Sequence, residues 1–306
     1  MLVYIKPLSM FPKLHSDTLF GAILSAISEI FPSKVDEIIN DFENNNPPFL
    51  LSSTFPSIKF KRFYPKIILE NNQSIINDKN VLKEYKKVEY IEEEIFIDLI
   101  KNRLSESDIL NNFDEYTVLN SLLFKNGLCE DVEISSTIIP HNNINRLTNE
   151  TEIFYSEGEE FNNMSLFFII KFNNPEYESV IKASLKFLKD RGFGKNISTG
   201  QGQFDYEIIN EDLDFNETGE RFITLSRFIP SHNDLDNINI NSNYEIGSKR
   251  GRSKSGEIRK QVRFFKEGST FPNYGENYGT IIKSGEITPA IEYGYAFPVF
   301  MGENND

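Results

Sequence analysis

The chain opens on MLVYIKPL, an apolar-rich run of strand length closed by Pro7. In HSDTLFGAILSAISEIF the period changes to a helical one. Leu19, Ile23, Ala26, Ile27 and Ile30 recur at helical spacing, Ser16 or Asp17 is available as N-cap, and Pro32 stops the run. SKVDEIINDF predicts a second, shorter helix and NNNPP a loop. FLLSSTFPSIKFKRFYPKIIL reads as extended segments broken by prolines, and VLKEYKKVEYIEEEIFIDLI as a charged helix. DVEISSTIIPHNNINRLTNETEIFYSE is strand, polar turn, strand, which predicts a projecting β-hairpin.

The pattern then starts again. MSLFFIIKF is a buried strand, and NNPEYESVIKASLKFLKD is a helix with Pro175 near its first turn. Val180, Ile181, Leu185 and Leu188 form its apolar face. The glycine-rich stretch RGFGKNISTGQGQF (191–204) follows, then the strand QFDYEII. Beyond Arg221 the text is strand-like: RFITLSRFIP, QVRFFKEGSTF, GTIIKSG, YGYAFPVF. Both halves begin strand–helix, so an α+β fold of two ferredoxin-like modules is expected. The expected division is 1–155, with the hairpin near 131–156, and 156–306, with the glycine-rich loop 191–204. A length of 306 residues suits two domains.

Composition adds exclusions. No apolar run is long enough to span a bilayer, and the N-terminus lacks a secretion signal. Cys129 is the one cysteine, and His15, His141 and His232 are far apart in sequence. A cytoplasmic protein without metal, cofactor or membrane contact is the expectation. The net charge of −14 argues against nucleic acid as a partner. The charge is uneven, however. Residues 205–220 carry seven acids and no base, whereas 249–263 carry seven bases and one acid. Screening confines each patch to about 8–10 Å, so a local anion-facing surface is compatible with an acidic chain. The acidic stretch reads as a solvated loop and the basic one as facing an anion.

The glycine-rich stretch fails the nucleotide patterns. Gly194-Lys195 is followed by Asn196, and the loop leaves a helix for a strand, the reverse of a P-loop. No glycine stands three residues after Gly194 or Gly202, so the dinucleotide fingerprint is absent too. What remains is a cationic loop with backbone N–H donors and the hydroxyls of Ser198 and Thr199. Arg191 and Lys195 have no evident internal partner. These features suit a sugar–phosphate backbone; the alternative is a turn in which Gly192 ends the helix. His15-Ser16-Asp17 is a helix start, since adjacent residues do not form a catalytic relay. At the hairpin tip, Arg146 with amides and Ile144 has the chemistry to reach along an RNA strand, Ile144 wedging beside a base.

HSDTLFGAI, HNNINRLTNET, RGFGKNISTGQGQF, FFKEGSTF and YGYAFPV stand in the order expected of RAMP-type CRISPR proteins. The chain resembles the subunit-four family of the type III-A (Csm) effector complex, from residue 15 to residue 299. The resemblance implies two ferredoxin-like, RRM-related domains. It implies a non-catalytic subunit that holds the 5′ handle of the CRISPR RNA (crRNA), linking the large polymerase-like subunit to the first backbone RAMP subunit. Carried over by position, His15 and Ser16 face the handle, as do Lys195, Asn196, Ser198 and Thr199 of the loop, flanked by Arg191 and Gly200. The hairpin around Asn143, Ile144 and Arg146 resembles the family's thumb, which displaces a base between handle and guide. RNA contact by Lys249, Arg250 and Arg252 is expected from the basic stretch rather than from the resemblance. Two other readings stand beside this one. One is a metal-independent RAMP endoribonuclease that processes CRISPR RNA, with His15 its candidate and no partner acid or base evident. The other is a protein–protein adaptor with an incidental glycine-rich turn.

Overall fold

The computed structural model describes all residues except 70–77, 127–132, 195–199, 239–240, 252–259, 285–289 and 303–306. The first segment contains β1 (Leu2–Pro7), α1 (Ser16–Ile30), α2 (Pro32–Glu43), β2 (Phe49–Leu51) and β3 (Phe55–Ile58). Next come β4 (Lys61–Pro65), α3 (Lys79–Tyr85), β5 (Tyr90–Glu92), α4 (Glu93–Ile100), α5 (Glu106–Asn111), β6 (Tyr116–Leu119) and β7 (Leu122–Lys125). The hairpin follows as β8 (Glu133–Ile144) and β9 (Thr151–Asn162), then β10 (Ser165–Phe172), α6 (Tyr177–Arg191) and β11 (Phe204–Ile209). The C-terminal part holds β12 (Arg221–Thr224), α7 (His232–Asn237), β13 (Ile246–Lys249), β14 (Val262–Phe265) and β15 (Thr270–Pro272). It ends with β16 (Ile282–Ser284), β17 (Ala290–Glu292) and β18 (Pro298–Met301).

The largest sheet runs β11-β1-β10-β3-β4-β5-β7-β6, with β2 also on β10. β1 lies antiparallel between β10 and β11, with Val3 opposite Phe168 on one side and Ile208 on the other. All four core-facing and back-facing residues Leu2, Val3, Tyr4 and Ile5 are buried, as a strand covered on both faces requires. α1 packs on α6, and Leu19, Ile23, Ile27, Ile181 and Leu185 join one apolar core with the sheet. β4, β5, β7 and β6 extend the same sheet beyond β3, and Tyr64, Ile91, Phe96 and Leu123 join the same core before β10 returns between β1 and β3. The expected division at 155/156 falls inside β9, and the large sheet takes strands from both sides of it. A second, smaller sheet, β15-β12-β18, follows, bridged by Asn243 to Thr270.

Two local expectations are corrected. Residues 81–100 are not one helix: Tyr90–Glu92 is a strand between α3 and α4, paired with β4 and β7. Tertiary pairing there overrides a helical charge pattern. The N-cap of α1 is His15, not Ser16 or Asp17. Ser16 turns inward, where its hydroxyl accepts the Arg227 N–H at 3.0 Å.

Candidate nucleic-acid interface

Residues 8–15, between β1 and α1, gather the three features singled out from the sequence. Leu8 N–H donates to Gln203 O at 2.8 Å, and Gly202 N–H donates to Met10 O at 2.9 Å, so this segment holds the stem of the glycine-rich loop. Phe11 exchanges backbone hydrogen bonds with Glu159 of β9, both 2.9 Å. Lys13 pairs with the Glu159 carboxylate at 3.1 Å. The same segment therefore clamps the root of the hairpin. It ends at His15, whose Nδ1–H donates to Glu267 Oε1 at 2.8 Å. Nothing in the local pattern of SMFPKL announces this role, because each contact is made to a residue distant in sequence.

The glycine-rich loop is closed at its base. Phe193 is buried against Phe11 and Phe204, with ring centroids 5.7 and 4.8 Å away. Its N–H donates to Gly202 O at 2.9 Å. Gly202 has φ +72°, and a Cβ there would stand 1.7 Å from Phe193 O. Gly200, at φ +82°, has open space where a Cβ would be. Glycine thus has two uses here: Gly202 seals the stem, and Gly200 takes a left-handed backbone conformation beside open space. Lys195, Asn196, Ser198 and Thr199 lie outside the described residues. Arg191 does have an internal partner, Glu29, at 3.7 Å, and remains about half exposed.

Around His15 a charged cluster joins the first unit to the C-terminal part. Glu267 Oε1 also accepts the Ser53 hydroxyl at 2.5 Å. Burial alone would raise the Glu267 pKa, but His15, Ser53 and Arg227 hold it below the ordinary value. Ser16 is fully buried, with its N–H given to Ser53 Oγ at 2.8 Å, so within this chain its polar groups are committed internally. Asp17 is 5% exposed and pairs with Arg227 at 3.1 Å and with Lys249 at 2.5 Å. Lys249 also reaches Glu292 at 2.6 Å, so its charge joins α1, β13 and β17. Arg227 lies over the Phe264 ring at 4.3 Å. Arg250 is exposed and takes part in an interaction within the chain; Arg252 lies outside the described residues.

The hairpin pairs over its full length, from Glu133↔Asn162 to Ile144↔Thr151. The strands therefore continue through His141–Ile144, which the sequence reads as turn. Its root is fixed where Gly158 meets Met10; a Cβ at 158 would come within 2.5 Å of Met10 Cγ. Asn143, Ile144 and Arg146 are exposed. The tip holds a residue the sequence reading passed over, Leu147, which is 96% exposed. Its N–H donates to Asn145 Oδ1 at 3.0 Å, an Asx turn that presents Leu147 outward. The apolar letter between two polar ones was the available signal.

A cleft of about 1190 Å³ opens between these parts, lined among others by Lys13, His15, Lys66, Tyr90, Arg227 and Phe264. Lys66 gives a hydrogen bond to Tyr85 O at 3.0 Å and lies 3.5 Å over the Tyr85 ring. Burial is the main cause that brings its pKa down to about 8. Three of the seven acids in 205–220 have partners, Asp205 with Lys189 at 2.6 Å, Glu211 with Arg62 at 2.8 Å, and Asp214 with Lys101, and all three stay exposed. The stretch is solvated as expected, but its first part is strand β11 rather than loop.

No family model matches the chain. A CRISPR system protein named Csm4 from Methanocaldococcus jannaschii is 24% identical over 273 residues, covering 76% of this chain and 72% of that protein. Among solved structures, the fold recurs in a chain of the Csm3–Csm4 subcomplex of the type III-A CRISPR–Cas interference complex. The TM-score is 0.73, with 20% identity and coverage of 98% of this chain and 99% of the other. It recurs again in the Csm1–Csm4 cassette bound to pppApA, with a TM-score of 0.61, 20% identity, and coverage of 100% and 98%. The chain is thus similar to Csm4 over most of its length, as the five ordered motifs imply.

Proposed function

We propose that this chain is the Csm4-type subunit of a type III-A CRISPR–Cas interference complex, and that it holds the crRNA 5′ handle without catalysis. The observation that carries the handle reading is the convergence of the glycine-rich stem, the hairpin root and His15 on residues 8–15. A single strand following that segment meets all three in turn. The sheet order β11-β1-β10-β3, with α1 and α6 packed together, supports a ferredoxin-like module into which residues 59–164 are inserted. Csm4 is crystallised with Csm3 and with Csm1. By the same reading this chain joins the backbone RAMP subunit to the large polymerase-like subunit, in the cytoplasm. No helix among the described residues is long and apolar enough to cross a membrane.

The chain, purified with its complex, is expected to bring down a guide RNA with a defined 5′ handle. Lys195→Ala with Ser198→Ala is expected to lose that RNA; normal RNA content would remove the loop from the interface. Lys66 supplies a pH signature. Its pKa of about 8 lies below the usual lysine value, so its charge is complete at lower pH and is lost as pH rises through about 8. RNA retention is therefore expected to fall between pH 7 and 9 in the wild type. In Lys66→Ala, the salt slope of binding should shrink by about 0.7, the contribution of one phosphate contact on a single strand. An unchanged slope would take Lys66 out of the interface.

Metal-independent cleavage of CRISPR RNA is the second reading, and the Glu267 carboxylate on His15 is the observation that favours it, because it orients the ring as a general base requires. Incubation of the pure chain with repeat RNA and chelator decides: cleavage abolished by His15→Ala supports it, and intact RNA removes it.

A further inference from the structure

Arg227, on the wall of the cleft, has one edge of its guanidinium uncommitted. A guanidinium carries five N–H donors on a rigid plane. Among the described residues, the side-chain hydrogen bonds of Arg227 all leave from Nη1, to the two Asp17 oxygens at 3.3 and 3.1 Å. Nε, which shares the side-on edge with Nη2, is buried without a partner. Buried polar groups are normally satisfied, so an orphan donor in a cleft wall asks for a partner from outside the chain. The plane is also held in place. The Phe264 ring lies 4.3 Å from it, and the Arg227 backbone N–H donates to Ser16 Oγ at 3.0 Å. Gly247, the cross-strand partner of Phe264, leaves that ring its space: a Cβ at 247 would come within 2.5 Å of Phe264 Cε2. A planar fork fixed in advance loses little freedom when it binds.

Charge and shape select the ligand. Arg227 and Lys249 already face the carboxylates of Asp17, Glu292 and Glu267. A phosphate would bring a further negative charge beside those acids, whereas a nucleobase brings none. The free edge fits two acceptors side by side in one plane. Guanine has them in O6 and N7, and adenine sets a donor beside its N7. Uracil separates its two carbonyls with an N–H, and the O2 of cytosine lies against its own ribose. In a single strand the Hoogsteen edge of a base is open to a side chain. We propose that Arg227 reads a guanine of the bound strand through O6 and N7. The proposal rests on the handle reading above, which brings a single RNA strand to this cleft.

The test uses the complex reconstituted with synthetic guide RNAs in which the handle guanines are replaced one at a time. 7-Deazaguanine removes N7; inosine lacks the exocyclic amine but keeps O6 and N7. At one position, 7-deazaguanine should weaken retention by the wild type about tenfold and adenine should weaken it further, while inosine binds as guanine does. These substitutions leave the protein unchanged, so a folding defect cannot produce the pattern. Arg227→Lys keeps the charge and loses the fork. It should retain the unmodified guide about tenfold less well and should no longer distinguish guanine from 7-deazaguanine. A handle without guanine, equal retention of all guides by the wild type, or an Arg227→Lys chain that still discriminates would overturn the proposal. A guide weakened only by a neutral methylphosphonate linkage would assign the edge to a phosphate and overturn it too. If the unmodified guide is not retained at all, the proposed function falls and the base reading falls with it. Retention of the unmodified guide with indifference to every base replacement overturns the base reading alone.

Discussion

Gly202→Ala is expected to open the stem of the glycine-rich loop and to strip the chain of handle RNA. A β-carbon at 202 would stand 1.7 Å from Phe193 O, in backbone at φ +72°. Neither can be relieved locally. Gly202 N–H is bonded to Met10 O, and its carbonyl accepts the Phe193 N–H, each at 2.9 Å. Moving away breaks both bonds, and with them the seat of Phe193 against Phe11 and Phe204. The left-handed penalty of about 1–2 kcal/mol and two hydrogen bonds at about 1 kcal/mol each give a loss of roughly 3–4 kcal/mol. Gly200→Ala is the matched control, since its Cβ meets open space and only the φ penalty of about 1–2 kcal/mol remains. Thermal melting and RNA content of the purified complex should rank the two. Equal behaviour would mean that the stem is not closed as described.

The second large effect is at Asp17. Removing its carboxylate by Asp17→Ala takes away the one acid that pairs with both Arg227 and Lys249, and leaves Glu292 with Lys249 and the more distant Glu267 with Arg227. Breaking a buried network by removing one partner costs about 3–5 kcal/mol. Cutting the exposed Lys34–Glu37 pair should change nothing measurable. The network also sets an acid limit. Burial would raise the Asp17 pKa, but Arg227 and Lys249 outweigh it and hold the carboxyl below its ordinary value. Glu267 is lowered as well. A depressed carboxylate contributes stability that is complete above the unfolded-state pKa and is lost as pH falls through the folded value. The wild type should therefore lose stability progressively below about pH 4, and Asp17→Ala should lose less over that range. Parallel acid-denaturation curves would contradict the assignment.

Local period made α1, α6, β1, β10, β11 and the hairpin legible, because each encodes its own buried face. The joins between them were not legible. β1 seats itself between strands more than 160 residues away, and no local pattern names those partners. That is why the repeat of strand–helix suggests a division at 155/156, although the large sheet takes strands from both sides of it. The 81–100 stretch misled for the same reason: its charges look helical, but Tyr90–Glu92 is captured between β4 and β7. At the site, His15 was visible, whereas Glu267, 252 residues on, was not. Lys249 read as a surface cation because its partners Asp17 and Glu292 are remote in sequence. Leu147 was in plain view within HNNINRLTNET, but only the turn geometry exposes it.

The most direct measurement is a map of RNA–protein crosslinks in the native complex, with handle nucleotides distinguished from guide. The account predicts adducts from handle nucleotides to residues 8–15 and 191–204, and an adduct at the handle–guide boundary to the hairpin tip at 144–147. Handle adducts confined to 249–263, or none to this chain in a complex that contains guide RNA, would contradict it.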